Sequence, residues 1–143
     1  RDHATGERIA DIRRELQETM DRNAQVFRTR DSLTTALSDI TALKKRYRDA
    51  SVQDKGRRFN TDLMEGVELG FLLDLAEVVV VGALAREESR GGHFREDFPT
   101  RDDERFMLHT MAYQRVRGDG QGTVELDYKP VIITRYQPME RKY

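Results

Sequence analysis

The sequence predicts a mainly α chain: a three-helix bundle followed by a charged loop, a β-hairpin and an extended tail. Apolar residues recur at threes and fours through the first half of the chain, the mark of helices with one buried face. A nearly continuous apolar segment follows from Leu63 to Ala85. After a charged, glycine-bearing stretch the apolar period drops to two, as in strands. The bundle is assigned to residues 1–88, and the loop, hairpin and tail to 89–143.

The first helix is expected from Thr5 to Ala24, with Ile9, Ile12, Leu16 and Met20 on one face and Thr5 or Asp2 as its cap. The connector "NAQVFRTRDS" is expected to tuck Val26 and Phe27 beneath the bundle. The second helix starts after Asp31 or Ser32 and carries the stripe Leu33, Leu37, Ile40, Leu43 and Tyr47. Its end, "KKRYRDA", is basic, which suits the negative end of a helix dipole. "SVQDKGRRFN" reads as a loop around Gly56, and the third helix runs from about Asp62 to Arg86. It is apolar almost all round, so burial on several sides is expected. The run Val78 to Val81 has strand propensity, but the unbroken apolar pattern without a turn signal favours helix. "FMLHTMAY" and "TVELDYKPVII" then alternate as strands, "RGDGQG" joins them, and Pro130 ends or edges the second.

Composition excludes several functions. With 25 basic and 26 acidic residues the net charge is −1, which argues against nucleic acid or anionic membrane as the main partner. The chain has no cysteine, so disulfides, thiolate metal sites and cysteine nucleophiles are absent. No apolar run approaches the roughly 20 residues a bilayer span needs. The chain begins on Arg1 rather than methionine, as expected of a processed product or a piece of something longer.

Candidate chemical groups have bland readings beside them. His3, His93 and His109 share no ligand spacing, and a hydrogen-bonded or surface role is the default for each. Asp74 and Glu77, one turn apart in the apolar helix, have the form of an acid–base pair. Pairing with arginines or capping backbone is the more economical reading, because unpaired buried carboxylates are costly. Lys44, Lys45, Arg46, Arg48, Lys55, Arg57 and Arg58 form a basic cluster, but Asp49 and Asp54 lie within it, and a solvated helix end accounts for it.

The segment "ESRGGHFREDFPTRDDE", residues 88–104, has nine charges in seventeen positions. Two readings of it stand side by side. One is exposed loop charge. The other is a lattice of ion pairs that docks the loop on another domain through Glu88, Ser89, Arg90, His93, Arg95, Asp97, Arg101, Asp102 and Asp103. Arginine forks keep their geometry when desolvated, and Gly91 and Gly92 would admit a close backbone neighbour.

This segment resembles the signature near the carboxyl end of the flavoprotein subunits of succinate dehydrogenase and fumarate reductase. The likeness continues through "NAQVFRT", "DKGRRFNTDLMEGVELGFLLDLAE", "GALAREESRGGH", "HTMAY", "VELDYKPV" and "RKY". Aspartate oxidase and adenylylsulfate reductase have a similar helical carboxyl domain, while the hairpin and closing "RKY" favour the succinate dehydrogenase branch. The resemblance implies a spectrin-like three-helix bundle with a carboxyl-terminal extension. It implies a parent that oxidises succinate to fumarate with covalently bound FAD and passes electrons through an iron–sulfur subunit to quinone. It also implies a cytoplasmic location, peripheral at the inner face of a bacterial plasma membrane. No residue here matches the family's flavin, substrate or catalytic motifs, so no catalytic, cofactor-binding or metal residue is carried over, and the chain alone is expected to be inactive. The charged loop is expected to dock on the parent's flavin domain rather than the iron–sulfur subunit, and to be mobile in this chain alone. The rival readings are the same domain of fumarate reductase or aspartate oxidase, and a stand-alone helical protein-interaction module.

Overall fold

The computed structural model describes residues 3–53, 61–116, 118 and 122–139, and the side chains among them except at 3–8, 51–53 and 61–63. The chain divides into two compact units, Arg1–Arg101 and Asp102–Tyr143. The first unit holds three helices, α1 (His3–Asn23), α2 (Arg30–Gln53) and α3 (Thr61–Ala85). The second holds a single turn, α4 (Asp103–Phe106), and the hairpin strands β1 (Leu108–Val116) and β2 (Gly122–Pro130).

The helical periodicity places the core where it was expected. Ile12 and Leu16 of α1, Leu33, Ala36, Ile40 and Leu43 of α2, and Leu69, Leu73, Ala76, Val80 and Ala83 of α3 form one apolar cluster. Within each helix these positions fall three or four apart and so share a face. Small residues let the helices approach. A methyl group on Gly70 would lie 2.7 Å from the Tyr47 hydroxyl, which donates to the Gly66 carbonyl at 2.8 Å.

Polar links fix the helices against one another. Buried Thr19 donates to Asp39 at 2.7 Å and accepts from Asn23 at 3.0 Å. Arg13 pairs with Glu68 across α1 and α3, and Arg46 pairs with Glu15 across α2 and α1. Asp74 and Glu77 converge on one cation, which is Lys44 rather than an arginine, at 3.0 and 2.8 Å. Burial opposes the Lys44 charge, but hydrogen bonds and charge from Glu77 and Asp74 outweigh it and raise its pKa. That arrangement answers the acid–base alternative: both carboxylates are held by a structural lysine. It also takes Lys44 out of the basic cluster; Lys55, Arg57 and Arg58 lie outside the described residues.

Four local expectations change. α2 starts at Arg30, because Thr29 is the cap. The Thr29 hydroxyl accepts from the Ser32 amide and the Ser32 hydroxyl accepts from the Thr29 amide, each at 3.0 Å, a reciprocal capping box. α2 also runs on to Gln53 and absorbs the start of the expected loop; the part around Gly56 lies outside the described residues. Val26 and Phe27 are exposed, not tucked under. Finally, α3 is helical through its valines but buried on one face only. Met64, Val67, Phe71, Leu75 and Val79 face outward, because two neighbouring helices cannot cover the full circumference of a third.

In the second unit, Asp102 caps α4 by accepting from the Arg105 amide at 3.0 Å. β1 and β2 pair antiparallel from Leu108 opposite Pro130 to Val116 opposite Gly122. Phe106 and Met107, read as strand, instead belong to α4 and its end. Pro130 closes β2, as a residue without an amide hydrogen should. The tail through 139 is irregular.

Candidate functional site

The charged segment after α3 folds back on the end of its own bundle. Each helix end in an α bundle leaves unpaired backbone groups, donors at the amino end and carbonyls at the carboxyl end. Here side chains from two connectors supply the partners. Arg28 donates from Nε to the Ala24 and Gln25 carbonyls at 3.2 and 2.7 Å, just past the end of α1. Arg95 donates from Nη1 to the Ala83 and Leu84 carbonyls, both at 3.0 Å, in the last turn of α3. Asp97 accepts from the Arg30 amide at 2.9 Å, at the start of α2. Cations thus sit at two carboxyl ends and an anion at an amino end, as the helix dipoles favour.

Arg95 joins these ends. It is fully buried, forks onto Asp97 at 2.8 and 2.7 Å and lies 5.0 Å from the centre of the Phe98 ring. That bidentate pair draws the Asp97 carboxyl from its ordinary 3.8 down to about 2. Its stabilisation is therefore full above 3.8 and is lost as pH falls through about 2. Ser89 organises the turn: its hydroxyl accepts from the Arg95 amide at 2.9 Å and donates to the Phe98 carbonyl at 2.8 Å. The Glu96 amide donates to the Arg28 carbonyl at 2.8 Å, tying the two connectors together.

Glu88, also fully buried, takes Arg86 at 2.6 Å and Arg90 at 3.0 Å. Arg90 and His93 exchange backbone hydrogen bonds at 2.8 and 3.0 Å around Gly91, whose φ of +59° suits glycine. Glycine at 91 therefore serves this turn; open space surrounds both Gly91 and Gly92. His93 lies between Arg28 Nη1, 3.1 Å from its Nδ1, and the Arg86 carbonyl, 3.0 Å from its Nε2. A guanidinium can only donate, so Nδ1 must accept, and the ring is the neutral Nε2–H tautomer. Burial lowers the His93 pKa; the Arg86 carbonyl opposes this, and the charges of Arg28, Arg95 and Arg86 add to it.

That environment gives a pH prediction. In the unfolded chain His93 takes a proton near its ordinary 6.5, whereas the folded chain resists it, so stability is full above that pH and declines as pH falls below it. Urea unfolding midpoints measured from pH 8 down to pH 5 are expected to fall, and His93→Gln is expected to flatten the trend. An unchanged slope in the variant would contradict this account of His93.

The nine residues expected to form the site thus separate. Glu88, Ser89, Arg90, His93, Arg95 and Asp97 come together at the bundle end, and Arg101 closes the first unit. Asp102 and Asp103 belong to the second unit, where they cap and begin α4. The expected mobile loop is instead a hydrogen-bonded closure whose most central charges point inward. Arg28, Thr29, Arg30, Arg86 and Glu87, which pairs with Arg30 at 3.1 Å, were missed as members. Their signal was position: each lies at a helix end or the connector beside it.

Chemically this network holds structure. Its charges are consumed by one another and by helix ends, and among the described residues no group of three His, Asp or Glu is placed for a metal. A groove of about 240 Å³ between α1 and α2 is lined by Glu15, Glu18, Asp39, Thr19, Arg22 and Arg46, with Ala42 and Leu43. Ligand pockets are typically larger and mostly apolar.

Comparison with known proteins identifies the family. Residues 13–143 match the family model described as the C-terminal part of the fumarate reductase flavoprotein. The chain is 45% identical over 138 residues to a fumarate reductase flavoprotein subunit of Mycobacterium tuberculosis, covering 96% of this chain and 23% of that one. It is 44% identical over 133 residues to a succinate dehydrogenase flavoprotein subunit of Rickettsia bellii, covering 92% and 22%. Among solved structures, an Escherichia coli quinol fumarate reductase superposes with a TM-score of 0.80 at 35% identity, over 92% of this chain and 22% of that one. The chain spans under a quarter of the length of these relatives. It belongs to the family of carboxyl-terminal domains of succinate dehydrogenase and fumarate reductase flavoproteins.

Proposed function

We propose that this chain is the non-catalytic carboxyl-terminal module of a flavoprotein that interconverts succinate and fumarate, a succinate dehydrogenase or its fumarate reductase counterpart. The observation that carries the reading is the pairing of two facts. The relatives have more than three quarters of their length elsewhere, and the charged residues here are spent on closing a bundle. FAD, which supplies the electron acceptor when bound, is assigned to the preceding part of the parent chain. An iron–sulfur subunit is the onward electron partner, and the quinol fumarate reductase relative is in keeping with such a complex. Among the described residues no helix is long and apolar enough to cross a membrane. Attachment at the inner face of a bacterial plasma membrane is accordingly assigned to the parent complex. The charged segment is proposed to contact the flavin-binding domain through Arg90 and Arg101 of the first unit.

The test compares the product of the full coding sequence with this chain. The full product is expected to be yellow and to reduce a dye with succinate; the chain alone is expected to be colourless and inactive. A parent without flavin, or dicarboxylate turnover by this chain unaided, would refute the proposal. In the parent, Arg90→Ala is expected to lower flavin content and melting temperature together. Normal values of both would remove Arg90 from the contact.

A further inference from the structure

The outward face of α3 is unlike the outward faces of its neighbours. α1 exposes Arg14, Gln17, Glu18, Asp21 and Arg22, and α2 exposes Asp31, Thr34, Ser38, Lys45 and Asp49. α3 instead exposes Met64, Val67, Phe71, Leu75 and Val79. The steps between them are three, four, four and four, so they form one stripe along the helix, opposite the face buried by Leu69, Leu73, Ala76 and Val80. The stripe runs about 22 Å, at roughly 1.5 Å per residue. Phe71, at its middle, is 65% exposed, and Leu75 beside it is 61% exposed. Scattered apolar residues on a surface need no explanation, but a contiguous stripe of large ones marks a contact face. Glu65 and Glu68 lie on the same helix beside it, giving a polar margin to an apolar centre, as interfaces have.

We infer that this stripe is the seat of the flavin-binding part of the parent polypeptide, so that the module docks through α3 as well as through its charged rim. The inference rests on the proposed function and adds to it the face that makes the contact. The occupant follows from length and linkage. The relatives carry more than three quarters of their chain outside the matched segment, and the family model is a carboxyl-terminal one. A domain on the same polypeptide is present at an effective concentration that no separate chain matches. A second copy of this chain, or another subunit, would have to displace it.

The experiment uses the full-length parent. Phe71 is replaced by the photo-reactive p-benzoylphenylalanine, the purified protein is irradiated, and crosslinked peptides are identified by mass spectrometry. Crosslinks from position 71 into the flavin-binding part of the same polypeptide are expected. Crosslinks only to a second copy or to another subunit, or none at all, would overturn the inference. A second variant, Phe71→Glu with Leu75→Glu, is expected to speed tryptic release of the module from the parent at least tenfold. An unchanged release rate would also overturn it. The two levels separate cleanly: a parent that binds no flavin refutes the proposed function, whereas a yellow parent without the crosslink refutes only the docking face.

Discussion

Replacing Arg95 with alanine is expected to destabilise the chain by about 3–5 kcal/mol, the scale for breaking a buried ion pair by removing one partner. Three losses coincide. The Ala83 and Leu84 carbonyls lose their donor inside the last turn of α3. Asp97 loses the fork that holds it against the start of α2, and a fully buried side chain leaves a void beside Phe98. Arg95→Lys keeps the charge but not the planar fork, so an intermediate loss is expected. Asp97→Asn keeps a side-chain acceptor for the Arg30 amide but leaves the fully buried Arg95 cation without its carboxylate, so a loss below that of Arg95→Ala but on the same scale is expected. Urea unfolding of the four proteins checks the ranking. If Arg95→Ala unfolds at the same midpoint as the parent sequence, Arg95 is surface charge and the closure of the bundle end is misassigned.

Two leucines two residues apart provide the second large effect. Leu73 is 1% exposed at the centre of the core, and Leu75 is 61% exposed on the outward stripe of the same helix. Leu73→Ala removes packed methyl groups and leaves a cavity, which costs about 2–5 kcal/mol. Leu75→Ala loses almost no packing within this chain, so a change within about 0.5 kcal/mol is expected. Helix propensity differs little between the two sites and cancels in the comparison. Equal losses at both positions would mean that α3 is covered on both sides within this chain, contrary to its exposed stripe.

The three helices and the hairpin were legible because periodicity is local: Leu33, Ile40 and Leu43 identify a buried face without knowledge of its partner. The direction of α3 was not, because a helix apolar on every side carries no phase. Nothing in the spacing distinguishes Leu73 from Leu75; only two neighbours on one side do so. Hydropathy also misplaced Val26 and Phe27, since a connector can leave apolar side chains in water when helix-end carbonyls, not apolar contacts, determine its path.

The charged segment was recognisable as special but not as inward-facing. Arg95 and Asp97 look like surface charges in sequence. Their burial depends on where α3 ends and α2 begins, which brings residues 83, 30 and 97 together from distant parts of the chain. Thr29 and Ser32 carried a readable capping spacing, yet Asp31 and Ser32 are equally good capping types, and geometry alone separates them. Family resemblance identified the family correctly. The inward turn of these charges became visible only in three dimensions.

Backbone hydrogen exchange of this chain tests the closure most directly. The amides of Arg95 and Glu96 donate to Ser89 and to the Arg28 carbonyl, so they are expected to exchange as slowly as amides in the middle of α3. Exchange at the rate of an unstructured peptide would show a loose, solvated loop after α3, and would contradict a bundle closed by its own buried charges.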